Sequence, residues 1–300
     1  MNIFVTGATG YIGHAVVAEL AAAGHGVTGL VRSDEKAEQV RRLGARAVVG
    51  DIAEPDTYRD QAAEHDALVH TAFSSSPRAI AADRTAIEAL IAAARAGSAR
   101  SLVYTSGIWV LGATGDTPAF EDAPTDHPAA LVTWRVEHER LALEAGDDRL
   151  ATVVVRPGIV YGGRGGLLGA HFESAEKEGA ATYVGDGANR VPMIHVEDLA
   201  RLYRLIVERH AAGVFHAVDG HGPLLAQVAE AASQAAGRGG ATRSIPLAEA
   251  RKTLGPFADA LALDQLVQSR RAAELGWGPR HPSFLGEADQ AYRDWKSAQG

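Results

Sequence analysis

Near the N-terminus a short apolar run, Ile3-Phe4-Val5, opens directly into Thr6-Gly7-Ala8-Thr9-Gly10-Tyr11-Ile12-Gly13. Glycines at this spacing act by what they lack. Without a Cβ, Gly7 permits a sharp turn, Gly10 permits a pyrophosphate to approach the backbone, and Gly13 permits the following helix to press on the strand. Ile12, Val16 and Leu20 then recur at helical spacing, so the segment reads as strand, turn and helix. Phosphates bound there sit on the helix N-terminus, where unpaired N–H groups and the helix dipole favour negative charge. Gly7, Thr9, Gly10, Tyr11 and Ile12 are therefore expected cofactor contacts.

The elements that must hold such a site follow in alternation. Apolar, β-branched runs predict strands at Gly26–Val31, Arg46–Val49, Ala67–His70, Ser101–Thr105 and Ala151–Arg156, with helical stretches between them. That rhythm implies a doubly wound parallel Rossmann sheet, an α/β fold covered on both faces. The Ala-rich stretch from Ala79 to Ala96 ends at Gly97, which fits a helix stopped by a glycine cap. After about residue 160 the rhythm weakens, glycines cluster at 162, 163, 165 and 166, and mostly helical segments follow. We expect a Rossmann domain over 1–160 and a smaller, mostly helical substrate part over 161–300, of which about 190–219 returns to the first core.

Composition limits the function. With 300 residues, 46% hydrophobic and 22% charged, the chain has room for a full α/β core and an addition. Net charge is -8 and no Lys/Arg run tracks a phosphate backbone, so nucleic acid is not expected. No apolar stretch reaches about 18 residues and the N-terminus enters a strand at once, so a membrane is not expected and a cytoplasmic location is. The absence of cysteine removes disulfides, thiolate nucleophiles and Cys-bound zinc, and the 12 histidines are scattered, so no metal site is assigned. The expected partner is a small-molecule substrate, with a homodimer left open.

TGATGYIG, LVYTSG at 102–107, VRPGIVYG at 155–162, IHVEDLA at 194–200 and LGWGP at 275–279 occur in this order. Together they make the chain resemble an extended short-chain dehydrogenase/reductase of the NAD-dependent epimerase/dehydratase kind, over nearly its whole length. The resemblance implies a Rossmann domain, a substrate domain, and hydride transfer to and from NAD(P). It also implies that Asp51 and Ile52 lie at the adenine, and that Thr71, Ala72 and Phe73 touch pyrophosphate and ribose. As a non-functional reading, Asp51 after Gly50 is a turn residue.

The second strand is followed by Arg32 and Ser33, where a carboxylate would hold a ribose 2′-hydroxyl and an arginine a 2′-phosphate. A guanidinium offers a charge-assisted fork to phosphate, which favours NADP(H) over NAD(H). A solvated loop arginine is the competing reading.

The expected catalytic helix departs from its relatives. The family carries a YxxxK motif, in which residues four apart share a helix face. Here no tyrosine lies between Tyr104 and Tyr161, and the lysines stand at 36, 177, 252 and 296. Alignment on Arg135-Val136 and Glu139-Arg140-Leu141 puts Leu131 at the tyrosine position and Arg135 at the lysine position, and a two-residue shift gives Ala129 and Thr133 instead. Leucine cannot exchange a proton, and arginine stays protonated. Arg135 is assigned to nicotinamide ribose or a substrate anion, against a helix residue paired with Glu139. Thr105 and Ser106, at a strand end, are expected to touch substrate. Tyr161 and His138 are further candidate proton carriers, while His195 reads as structural with Asp198 positioning its helix. Trp109 and Trp134 line a pocket or pack the core. Three functions stay open: an NADP(H)-dependent oxidoreductase, epimerase or dehydratase acting on a small hydroxylated or carbonyl compound; a noncatalytic NADP(H) sensor or scaffold; and a non-redox isomerase or cyclase.

Overall fold

The computed structural model describes residues 1–73 and 76–299. Six strands come first: β1 (Asn2–Thr6), β2 (Gly26–Val31), β3 (Arg46–Val49), β4 (Ala67–His70), β5 (Ser101–Thr105) and β6 (Ala151–Pro157). Five more follow: β7 (Ile159–Tyr161), β8 (Ala181–Val184), β9 (Met193–His195), β10 (Gly213–Ala217) and β11 (Thr242–Ile245). The early strands coincide with the apolar runs of the sequence. The later five lie outside the strand-helix alternation of the first half, and β7 and β9, with three residues each, are too short to show a period.

The chain forms two compact units, each built from three stretches: 1–106, 137–155 and 199–215 in the first, and 107–136, 156–198 and 216–300 in the second. Two consecutive blocks split near 160 therefore misplace 107–136, and of the segment 190–219 only 199–215 joins the first unit. The second unit is also not the smaller one.

The first unit carries the main sheet, ordered β3-β2-β1-β4-β5-β6-β10. β1 pairs in parallel with both β2 and β4, so the strand order reverses between β1 and β4. Such a reversal opens a crevice at the carboxyl ends of the two strands. In register, Phe4 faces Leu68 and Leu68 faces Leu102, giving a continuous apolar row in one core cluster. β1, β4 and β5 are buried on both faces apart from their ends, the condition of a parallel sheet under two helix layers. Helix Ala79–Ala96 does end at Gly97, but for another reason than a left-handed cap. Gly97 has φ -106, and a Cβ there would stand 1.9 Å from the Ala63 carbonyl oxygen. Close approach, not handedness, requires glycine.

The second unit has its own core of Tyr161, Phe172, Met193, Val228 and Phe284. Two parallel ribbons, β7 with β9 and β8 with β11, flank helices Gly169–Glu178, Leu225–Ala235 and Phe284–Ser297. Two buried titratable groups in this unit set opposite pH slopes. Burial pushes the Asp219 carboxyl up to about 6, although its Oδ1 accepts the His221 N–H. Burial, then the Arg156 charge, push His216 down to about 4. A raised carboxyl gives stability that is full below its unfolded value and lost as pH rises through about 6. A depressed histidine gives stability that is full above its unfolded value and lost as pH falls toward about 4. Asp219→Asn keeps an oxygen for His221 and removes the first slope. It is expected to stabilise the protein by about 2 to 3 kcal/mol at pH 8 and by almost nothing at pH 4 in urea unfolding. Equal effects at both pH values would show that the carboxyl is not desolvated.

Candidate cofactor and substrate sites

At the carboxyl ends of β1 and β4 the first unit opens a cleft of about 650 Å³. Gly7, Thr9, Gly10, Tyr11 and Ile12 form one wall. Arg32, Asp51 and Ile52 stand at a second, and Thr71, Ala72 and Phe73 at a third. The three glycines differ in what they do. Gly7 has φ +70, and a Cβ on it would meet the Ala72 backbone at 2.6 Å. A Cβ on Gly13 would stand 2.1 Å from the Gly7 oxygen, so helix Tyr11–Ala22 rests directly on the turn. At Gly10, the helix N-cap, a Cβ would meet only the Gly7 oxygen at 3.1 Å and would otherwise project into the hollow. That is the fit a pyrophosphate requires: backbone N–H groups at a helix start, with no side chain over them. Thr71 holds the opposite wall through its hydroxyl, which donates to the Thr6 carbonyl at 2.7 Å.

Two basic residues that sequence reasoning missed, Lys36 and Arg78, line the same cleft with Arg32. Lys36 lies one turn into helix Asp34–Arg41, and Arg78 caps helix Ala79–Ala96. Their only signal in the sequence is a basic residue at the start of a helix whose start is itself uncertain by a residue or two. Ser33, expected at the ribose, instead caps its helix: its Oγ accepts the Lys36 N–H at 3.3 Å, and it is absent from the cleft walls. Asp51 combines both readings, since it lines the cleft while its Oδ1 accepts the Ala53 N–H in a turn.

At the end of β5, Thr105 Oγ1 and the Tyr203 hydroxyl share a 2.6 Å hydrogen bond. Ser106 donates its N–H to the Val155 oxygen, and its Oγ is buried with no hydrogen-bond partner. Beneath the sheet end lies a polar network that the sequence does not announce. Asp83 accepts from the Tyr104 hydroxyl at 2.9 Å and from His138 Nδ1 at 2.7 Å, and approaches His70 Nε2 at 3.3 Å. His70 Nδ1 reaches the Thr6 hydroxyl at 2.6 Å, so the chain of contacts ends at the residue before Gly7. Asp83, His70 and Tyr104 are each 1% exposed. His138 is thus tied to Asp83 and buried, so it is a framework residue of this unit.

In the second unit, Arg135 lies on helix Thr133–Glu144 with its guanidinium 4.4 Å from the centre of the Trp134 ring. Leu131, in the short turn Ala130–Val132, packs with Ile108, Val110 and Val132. Tyr161 is removed from the catalytic candidates: it is 1% exposed, packs edge-on against His195 and Phe284, and its hydroxyl reaches the His281 carbonyl. A group buried on all sides cannot meet a substrate. Its VYG setting resembled a cofactor loop, but packing decided its role.

His195 stacks on His281 at 3.7 Å, and its Nδ1 accepts the Glu197 N–H. Burial, then the neighbouring His281, lower the His195 pKa. His281 Nδ1 lies 2.9 Å from Glu287, and its Nε2 lies 3.4 Å from Glu197. These groups are close enough to suggest metal ligation. However, the His195 Nδ1 lone pair is already taken by a backbone N–H, so the cluster is a set of ties. Asp198 adds to it, accepting the N–H groups of Arg280 and His281 at 2.8 Å each. That carboxylate holds the chain just after LGWGP, and the Asp198 carbonyl accepts the Trp277 indole N–H within it at 2.9 Å.

Residues 3–218 match the NAD dependent epimerase/dehydratase family, and the chain belongs to that family. A 3-diazoavenalumate denitrifying reductase from Streptomyces sp is 33% identical over 95% of this chain and 98% of its own. Human epimerase family protein SDR39U1, solved with NADPH, superposes with a TM-score of 0.80 at 24% identity over 100% of both chains. Thermus thermophilus UDP-glucose 4-epimerase, solved with NAD, gives 0.81 at 21% identity over 99% of this chain and 100% of that one. The family is one of NAD(P)-binding enzymes, and its Rossmann fold is the one described above. Among the described residues no helix is long and apolar enough to cross a membrane.

Proposed function

We propose that this chain is an NADP(H)-dependent reductase of a small electrophilic compound, working without a side-chain phenol as proton donor. The observation that carries the reading is the cleft of the first unit, with an open Gly10 at a helix start and three cations, Arg32, Lys36 and Arg78, on its walls. When bound, the reduced nicotinamide supplies a hydride. Gly7, Gly10 and the start of helix Tyr11–Ala22 hold the diphosphate. Arg32 takes the 2′-phosphate, with Lys36 and Arg78 adding positive charge. Arg135, in the second unit with its guanidinium 4.4 Å from the centre of the Trp134 ring, offers a cation to an anionic group. Leu131 sits in an apolar cluster and offers no proton, so the proton that completes the reduction comes from water. The Streptomyces relative is named as a reductase, which supports reduction over epimerisation.

A second reading has its own observation. The two hydroxyls at the end of β5 are engaged or buried, Thr105 with Tyr203 and Ser106 without solvent, which suits a protein that binds NADP(H) without turnover. Single-turnover oxidation of bound NADPH by a panel of ketones and imines separates the two, since the sensor gives none.

The cofactor assignment has a direct test. NADPH is expected to bind more tightly than NADH by calorimetry, and Arg32→Ala to weaken NADPH about tenfold, about 1.4 kcal/mol, while NADH hardly changes. Equal affinities in the unmutated protein would overturn it.

A further inference from the structure

The second unit contains a narrow slot of its own, walled by Trp109, Ile159, Leu168, Val191, Leu261 and Leu263. Two of these follow sheet ends closely in sequence: Trp109 comes three residues after Ser106, and Ile159 two after the last residue of β6. In doubly wound proteins the chain beyond strand carboxyl ends builds the ligand site.

Charge in the slot is already spent. Among the described residues lining it, Arg190 is the only one with a full charge. Arg190 Nε donates to Asp264 Oδ1 at 2.8 Å, Nη2 donates to Asp264 Oδ2, and Nη2 also donates to the Gly115 carbonyl at 2.8 Å. Asp116 approaches the same nitrogen at 3.3 Å. The Arg190 backbone N–H adds a 2.7 Å bond to Asp264 Oδ1. The guanidinium, chiefly by hydrogen bonding, holds the Asp264 carboxyl below the usual carboxylate range.

The remaining polar groups are neutral. His171 Nδ1 donates to the Thr182 carbonyl at 2.8 Å, which leaves Nε2 as an acceptor, and burial lowers its pKa. Gln265 spends its amide N–H groups on the Ile108 and Gly112 carbonyls. An anion entering here would lose its water and find its one cation neutralised, which is costly. An apolar group would lose nothing and bury its surface against aromatic and branched side chains.

We propose that this slot receives an uncharged alkyl or aryl arm of the substrate and turns away an anionic one, such as a nucleoside diphosphate. That there is a substrate rests on the reductase reading; what the slot accepts does not.

Two probes of one shape decide it: acetophenone and 4-acetylbenzoate, which carries a carboxylate on the ring end that would enter the slot. Binding of each is measured by calorimetry, on the cofactor-free protein and on protein saturated with NADP⁺, with NADPH binding measured separately. Acetophenone is expected to bind at least tenfold more tightly than the benzoate. Quenching of tryptophan fluorescence by acetophenone is expected to fall in the conservative Trp109→Phe variant. In Asp264→Asn, where Arg190 loses its carboxylate, the benzoate is expected to gain at least fivefold and acetophenone to stay within twofold. Equal or tighter binding of the benzoate to the unmutated protein, binding of neither probe, or undiminished quenching in Trp109→Phe would overturn the proposal. If Asp264→Asn does not fold, the unmutated pair and Trp109→Phe still decide. Failure of NADPH to bind would remove the reductase reading, while the probe pair on cofactor-free protein would judge the slot independently.

Discussion

Replacing Gly10 by valine is expected to abolish NADPH binding while the protein stays folded. The position is suited to this test because its backbone, φ -70 and ψ 174, lies in the extended region that a β-branched residue prefers. The added Cβ meets a single protein atom, the Gly7 oxygen at 3.1 Å, which must give by a few tenths of an ångström. The two valine methyls extend beyond it into the cleft, over the N–H groups that would cradle phosphate. Affinity should fall by about 100-fold or more, roughly 2.7 kcal/mol, and the melting temperature by only a few degrees. Gly7 and Gly13 do not allow so clean a separation. At those positions a Cβ would strike backbone at 2.6 Å and 2.1 Å, so the fold itself would yield. Normal NADPH binding by Gly10→Val would mean that the phosphates lie elsewhere.

Asp83→Ala is expected to be strongly destabilising. The carboxyl is 1% exposed and is the common partner of Tyr104, His138 and His70. Its removal leaves a phenol and two imidazoles buried without the acceptor they share. Breaking a buried polar pair from one side costs about 3 to 5 kcal/mol, against about 1 kcal/mol for an ordinary hydrogen bond. Chemical unfolding measures the loss. Because His70 continues to Thr6, the residue before Gly7, weaker NADPH binding is expected in the folded fraction of Asp83→Ala. A loss below 1 kcal/mol would show that water enters and satisfies these groups. His138→Phe, which removes one contact and keeps the ring volume, should cost less than Asp83→Ala.

The first six strands and the glycine turn were legible in the sequence because their signals are local. Ile3-Phe4-Val5 followed by spaced glycines needs no distant partner to be read, and alternation alone implies a parallel sheet. The same locality explains why Gly7, Thr9, Gly10, Tyr11 and Ile12 were named together and share one wall of the cleft. The absence of any tyrosine between Tyr104 and Tyr161, and of a lysine four residues after one there, was equally legible, since it is a property of the chain alone.

Tertiary structure decided what depends on residues far apart in the chain. Tyr161 looked like a candidate donor until Phe284 and His195 enclosed it. Ser33, expected at the ribose, caps the helix Asp34–Arg41 and is absent from the cleft walls. Lys36 and Arg78 became cleft residues because β2 and β4 flank the same strand, and nothing within either segment announces that neighbourhood. Most of all, Arg190 could not be known to be neutralised from its own surroundings in sequence, because Asp264 lies 74 residues away. Local period and missing side chains are properties of the chain; burial, charge pairing and shared walls exist only once segments distant in sequence have been packed together.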